Sequence, residues 1–248
     1  MRLFIDDEDP KEENMPAMAL PCEGRCNGLE VGVKDFGLSR DVPVKRGATA
    51  LLFVDVQNYS AEGGGEYAGL PPEEVEARYG DFFRQLQEQA VPNMRRLQRA
   101  CRQAGVEVMY TVIESLTLDG RDMSLDYKIS GLFCAKGSRD AQVIDAIAPE
   151  GDELVFPKTS SSVFISTNIH YVLGNLGVKH LIVCGVLTDQ CVDSTVRDAC
   201  DYGYLVTLVT DACATLTEER HTTSIANNQG YCRQRTTDEM VKELAALQ

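Results

Sequence analysis

The sequence has no tryptophan and only three histidines, His170, His180 and His221. That leaves little imidazole for a His-rich metal site or a Cys–His nucleophile pair. Positive charge is also scarce: 24 Lys and Arg face 38 Asp and Glu, a formal charge of −14 over 248 residues. Phosphate backbones and anionic membrane surfaces are held by clustered Lys and Arg, so this balance argues against nucleic-acid and membrane partners. No apolar run approaches the roughly 18–20 residues that span a membrane. The acidic opening MRLFIDDEDPKEE lacks the basic-then-apolar order of a secretory signal. No G-x-G-x-x-G follows a strand-like run, which weighs against a nucleotide- or flavin-binding α/β protein. Gly63-Gly64-Gly65 has no trailing Lys of a phosphate loop, and is expected to be a mobile loop or lid. Nine cysteines is an odd count without a tight framework. That suggests reduced thiols and a cytoplasmic location. Cys22 and Cys26 lie close together, but no second pair stands at zinc spacing.

What is present is ordinary for a globular domain: 44% hydrophobic and 25% charged residues. A chain of this size buries roughly 70–75% of its unfolded surface and needs no disulfide or metal staple. Residues 1–47 hold four of the nine prolines (Pro10, Pro16, Pro21, Pro43) and the acidic run Asp6 to Glu13. They are expected to be an N-terminal extension, either a disordered tail or an arm packing on a partner subunit through Leu29, Val31, Val33 and Phe36. Residues 48–248 form the main domain.

In that domain short apolar runs alternate with helical periodicity. Ala50 to Val54 is a continuous apolar run ending in Asp55, the pattern of a strand buried on both faces. Residues 73–104 are helical, with Pro92 expected to divide them. Further strands are expected at 106–113, 153–156, 181–186 and 205–209. Helices are expected at 138–148, 164–176, 190–202, 217–229 and 237–247, with a short strand between the last two. Residues 114–137 form a long polar connection. Such alternation predicts an α/β fold, a mostly parallel sheet layered between helices.

Ligands in open α/β sheets bind beyond the carboxyl ends of the strands. Three reactive residues fall there: Asp55 after the first strand, Lys158 after the third and Cys191 after the fourth. Each also has a plain structural reading, as a loop cap, a surface charge or a small core hydrophobe. Cys101, Cys134, Cys184, Cys200 and Cys213 are taken as core thiols, and Asp211 as a turn or cap. Cys191 stands apart because Thr188 and Asp189 are helix-starting residues and Val192, Thr195, Val196 and Ala199 follow at helical spacing. That puts the thiol in a helix's first turn, where the dipole and a nearby Lys158 favour thiolate. Asp55 could accept the thiol proton. Such an activated nucleophile suits acyl transfer.

The string GVLTDQCVDST, the DVQ at Asp55 to Gln57, the K-x-x-x-S-x-F from Lys158 to Phe164 and Asp211-Ala212 together resemble the isochorismatase-like cysteine hydrolases, over roughly residues 48–242. The resemblance implies a three-layer α/β/α fold with a six-stranded, mostly parallel sheet and an Asp55–Lys158–Cys191 triad. It also implies a cis peptide before Leu187 and an oxyanion hole from the backbone N–H groups of Leu187 and Cys191. Isochorismatases proper cleave a vinyl ether and lack the cysteine, so Cys191 points to the amidohydrolase side. Nicotinamidases resemble this core too but carry an Asp-x-His metal motif, and Ile113 to Thr117 has no histidine. No metal or cofactor is therefore expected. The substrate class implied is a small amide or ureide, such as an N-carbamoyl compound, ureidoacrylate or biuret. By resemblance to ureide hydrolases, Gln229 is the first candidate for substrate binding and Asn227 the second. Glu114 could contact an amine or ureide N–H, and Gln57, with Asn58, could orient the first loop and face substrate. A homo-oligomer, dimer or tetramer, is expected. The alternatives are a catalytically silent interaction protein and a vinyl-ether hydrolase.

Overall fold

The computed structural model describes residues 24–26, 29–31 and 36–247, in two units, Met1–Ser39 and Arg40–Gln248. In the first unit, β1 (Gly24–Cys26) and β2 (Leu29–Val31) pair antiparallel. Cys22 and Val33 lie outside the described residues.

The second unit is built on β3 (Thr49–Val54), β4 (Glu107–Ile113), β5 (Leu154–Lys158), β6 (His180–Val186), β7 (Leu205–Ala214) and β8 (Arg233–Arg235). They form one sheet in the order β5-β4-β3-β6-β7-β8. Every pairing is parallel. All six side chains of β3 are buried, as a central strand covered on both faces requires. Pro157 falls in β5, which pairs only with β4. An edge strand tolerates its missing N–H.

Between β3 and β4 lie α1 (Asn58–Ala61), α2 (Gly65–Ala68), α3 (Pro72–Gln85) and α4 (Val91–Ala104). The β4–β5 connection carries α5 (Leu125–Ser130), and α6 (Val163–Ser166) and α7 (Ile169–Asn175) lead to β6. The helices α8 (Asp193–Asp201), α9 (Glu218–Asn228) and α10 (Thr237–Ala245) follow. The chain first winds outward from β3 to β4 and β5, then restarts on the other side of β3 with β6, β7 and β8. Right-handed crossovers therefore put the two sets of connecting helices on opposite faces. On one face α10 packs against α4, and on the other α8 packs against α6 and α9. Residues of the segment before β3 also join this unit: Val44 is buried and its N–H donates to Glu243 at 2.7 Å.

Several local expectations need correction. Pro92 does not divide the long helix. A π turn, Leu86–Ala90, joins α3 to α4, and Pro92 sits in the first turn of α4 directly after it, so the change of helical register absorbs the bond that its missing N–H removes. Residues 138–148 are two 3₁₀ turns, Arg139–Ala141 and Asp145–Ile147. The extended Val143 between them pairs with Gln57 across a β-bridge, which draws this segment out of a helix. β7 runs on to Ala214, with an irregular register opposite Val183 and Gly185. Cys200 is half-buried, unlike the other four core thiols. Gly65, in the glycine run, donates its N–H to Asp140 at 3.0 Å. Asp211 does cap, taking the N–H and hydroxyl of Thr237 at 2.7 and 2.8 Å.

One glycine is required where β3 and β6 approach. Gly185 has φ +133°, and a Cβ there would lie 2.2 Å from the Val54 carbonyl oxygen. The obstruction is backbone, so it cannot swing aside. Gly185→Ala is expected to destabilise by about 3 kcal/mol, the upper end of overpacking costs. By calorimetry that is a fall in Tm of roughly 6–12 °C, and an unchanged Tm would contradict the close approach.

Candidate active site

The reversal of winding between β3 and β6 leaves a crevice at their carboxyl ends, the place where open α/β sheets bind ligands. Asp55 follows β3 directly. Its φ is +55°, a left-handed conformation that Asp tolerates better than most residues. Its N–H bonds the Thr111 carbonyl at 3.1 Å, extending the ladder to β4. Thr111 returns a hydroxyl bond to Asp55 Oδ1 at 2.7 Å.

Lys158 ends β5, two strands from β3. Two strand spacings are about 10 Å, which a long side chain can cross. Lys158 reaches beneath the end of β4 and brings Nζ to 2.8 Å from Asp55 Oδ2. Both side chains are sealed from water, at 0% and 2% exposure. Oδ2 accepts no bond with good hydrogen-bond angles, so its contact with the ammonium is an ion pair. Nζ also donates to the Ser160 carbonyl at 2.8 Å and to Tyr127 Oη at 2.9 Å. Its fourth neighbour is Cys191 Sγ at 3.5 Å. The structure thus brings Asp55, Lys158 and Cys191 together.

Cys191 does not stand in an ordinary first helical turn. It lies in a π turn, Thr188–Val192, that opens into α8. The peptide between Val186 and Leu187 is cis. Leu187 precedes the π turn, and its carbonyl accepts the N–H groups of Gln190 and Val192 at 3.1 and 3.3 Å. The turn is held from behind by α9. Thr188 Oγ1 meets His221 Nδ1 at 2.9 Å, Ser224 donates to the Thr188 carbonyl at 3.2 Å, and Arg220 pairs with Asp189 at 2.5 Å. Burial lowers the His221 pKa, opposed by Glu218 and Asp189, so the ring supports the turn as a neutral group.

The electrostatics correct one expectation. Burial pushes the Cys191 thiol up to about 11, with Asp55 adding to the rise while Lys158 and the Tyr127 hydrogen bond oppose it. The resting thiol is therefore protonated at neutral pH. For Lys158, burial alone would lower the ammonium. The Asp55 carboxylate, the thiol and the phenol outweigh it, and the net shift is upward. Lys158 stays charged throughout the accessible range.

The remaining candidates fare differently. Gln57 is fully buried and its amide is spent on backbone. Nε2 donates to the Ile113 and Asp140 carbonyls at 3.0 and 2.9 Å, and Oε1 accepts the Ile113 N–H at 2.6 Å. It orients the loop and has no capacity left to face a substrate. Asn58 does the same, donating to Arg139 and Gln142 carbonyls. Glu114 stands at the end of β4, where its carboxylate accepts the Gly137 N–H at 2.6 Å and pins the β4–β5 connection. Asn227 lies in the last turn of α9 and Gln229 just after it. Between them Asn228 donates to Asp193, two residues past Cys191, at 2.7 Å, and the Tyr231 carbonyl accepts from Cys200 on α8 at 3.3 Å.

Tyr127 was missed. It is buried, 3.5 Å from Cys191 Sγ and 2.9 Å from Lys158 Nζ. It rides on α5, inside the segment taken as a polar connection. Ser124 caps that helix through the Tyr127 N–H at 3.2 Å, and its own N–H bonds the Thr159 carbonyl at 2.8 Å beside Lys158. Ser124 three residues before an aromatic was the available signal. Among the described residues no group of three His, Cys, Asp or Glu side chains is placed to hold a metal ion. None of their helices is long and apolar enough to cross a membrane.

The site is a carboxylate, an ammonium and a thiol gathered at the switch point of a parallel α/β sheet. The isochorismatase domain matches residues 49–239, and the chain belongs to that family. It is 29% identical to a ureidoacrylate amidohydrolase of Rhizobium rhizogenes, over 69% of this chain and 72% of that one. It is 34% identical to an Arabidopsis thaliana protein named "probable inactive nicotinamidase", over 71% of this chain and 86% of that one. In fold it matches a cysteine hydrolase from Pseudomonas syringae pv. phaseolicola, with a TM-score of 0.70 at 23% identity, covering 84% of this chain and 97% of that one.

The buried thiol sets a pH dependence. Below its pKa the thiolate fraction grows tenfold per pH unit, so iodoacetamide should alkylate Cys191 slowly at pH 7 and progressively faster towards about 11. Lys158→Met removes the cation that holds the pKa down, and is expected to slow alkylation further at each pH. Peptide-resolved mass spectrometry would check both. A rate independent of Lys158 would remove its electrostatic role.

Proposed function

We propose that the protein is a cysteine-dependent amidohydrolase that cleaves a C–N bond of a small ureide or carbamoyl compound through a thioester. The observation that carries this reading is the sealed contact of Asp55, Lys158 and Cys191 at the carboxyl ends of β3, β5 and β6. A carboxylate, an ammonium and a thiol in one dry crevice are what acyl transfer by a sulfur nucleophile needs.

Asp55 takes the thiol proton as Cys191 Sγ attacks the carbonyl carbon. The N–H groups of Leu187 and Cys191 receive the developing oxyanion, contacts worth about 2.7–4 kcal/mol per donor. Ammonia or an amine leaves with the proton held by Asp55. Water then enters, gives a proton to Asp55 and cleaves the thioester, and the proton returns to sulfur. Because the free thiol is protonated, the sulfur is activated only as Asp55 takes its proton. The substrate class is a ureide or carbamoyl compound. The ureidoacrylate amidohydrolase relative supports the same class.

Ammonia release from a panel of N-carbamoyl amino acids, ureidoacrylate, biuret, nicotinamide and simple carboxamides tests the proposal. Turnover of a ureide, abolished in Cys191→Ser and unaffected by prolonged chelation, is the expected result. Near-normal turnover in Cys191→Ser would sink the mechanism. A catalytically silent protein, the reading that the Arabidopsis relative's name favours, predicts no release from any member.

We further propose a homo-oligomer. The β4–β5 connection exposes Leu116, Leu118, Leu125, Ile129 and Phe133, more apolar surface than one connection normally leaves to water. Sedimentation equilibrium is expected to give a dimer or tetramer, and a monomer would refute it.

A further inference from the structure

We infer that Tyr127 is a fourth catalytic residue, the hydrogen-bond donor that stabilises the Cys191 thiolate as it forms. The inference rests on the proposed role of Cys191 as nucleophile, and follows from counting protons. An ammonium donates and cannot accept, so at the 2.9 Å contact between Lys158 Nζ and Tyr127 Oη the phenol oxygen is the acceptor. The phenol keeps one proton, and Cys191 Sγ at 3.5 Å lies within its reach. Burial raises the Tyr127 pKa, against a lowering by Lys158, so that proton stays on oxygen.

Lys158 alone gives the sulfur little direction. Its N–H groups donate to the Ser160 carbonyl at 2.8 Å, to Tyr127 Oη at 2.9 Å and, at the longer distance of 3.5 Å, to Cys191 Sγ, while Asp55 Oδ2 lies beside the ammonium as an ion pair at 2.8 Å. Lys158 thus supplies charge and one long N–H contact to the sulfur, and the phenol that it polarises supplies a second donor. In the resting state the thiol holds its own proton. When that proton passes to Asp55, sulfur has none left to give, so the contact can only be O–H···S⁻. As the sulfur lone pair forms the bond to the carbonyl carbon, the negative charge passes to the carbonyl oxygen and the phenol contact weakens. The phenol gains and loses no proton over the cycle.

The position is built rather than accidental. Ser124 caps α5 at Tyr127 and is tied to Thr159. The loop before it is clamped by Asp122, which accepts from Ser115 at 2.8 Å, from the Leu116 N–H at 2.7 Å and from Thr117. The Leu132 N–H returns to the Tyr127 carbonyl at 2.9 Å.

Tyr127→Phe in the full chain keeps the ring over Lys158 Nζ, now 5.5 Å from its centroid, and removes only the hydroxyl. Peptide-resolved alkylation of Cys191 by iodoacetamide is measured from pH 6 to 10. The expected result is about tenfold slower alkylation at each pH, the value of a hydrogen bond to a charged group. Ureide turnover should fall in kcat by a similar factor, with KM changed less than about twofold. Tyr127→Met, which lacks ring and hydroxyl, should slow alkylation at least as much. An unchanged profile in Tyr127→Phe overturns the inference, as does slowing confined to Tyr127→Met, which would assign the effect to the ring. The alkylation readout does not depend on turnover. If Cys191→Ser remained active, the proposed function would fail while a shifted Tyr127→Phe profile still upheld the donor role.

Discussion

A carboxylate and an ammonium 2.8 Å apart, both closed off from water, are the constraint around which this sheet edge is organised. Removing two charges from solvent costs several kcal/mol each, and their attraction repays it only when neighbouring groups satisfy what remains. Each neighbour here answers that demand. Thr111 on β4 serves the free oxygen of Asp55, and the Ser160 carbonyl and Tyr127 hydroxyl serve the ammonium. The pair therefore ties α5, through Tyr127, and the chain leaving β5, through Ser160, to the end of β3. The glycine at Gly185, which allows β6 to approach β3, and the cation at Lys158 belong to one geometric solution even though neither touches the other.

The sulfur occupies a different position in that balance. It gains from the ammonium and the phenol, and loses from burial and from the carboxylate, and the loss prevails. The tertiary field overrides the local one: the start of a helix favours thiolate in isolation, but here the opening turn is a π turn packed against α9 that buries Cys191.

The sheet was legible because buried parallel strands announce themselves as unbroken apolar runs, and the three reactive residues because each ends such a run or follows it. What was not legible depends on direction and competition. Gln229 is a substrate candidate by resemblance to ureide hydrolases, and the contact that ties its end of α9 to Asp193, through Asn228, depends on how two helices pack and leaves no mark on the sequence. Gln57 has the right address but its amide is consumed by β4 and by residues 139–142. Pro92 looked like a break because a proline removes one helical bond, and a π turn absorbs that loss without ending the helix. Tyr127 was invisible for a reason of scale: a six-residue helix in a polar connection shows no periodicity, and only its serine cap marks it.

The protonated resting state of Cys191 has a bearing on durability. Peroxides and electrophiles react with thiolates far faster than with thiols. With burial pushing the thiol up to about 11, the protonated form dominates at neutral pH. A sulfur kept in this form is shielded from oxidation to the sulfenic acid. The burial that makes this thiol slow to ionise is then also what keeps it reduced, so its lifetime under oxidative stress follows from the packing of α5 and α9 rather than from a separate protective group.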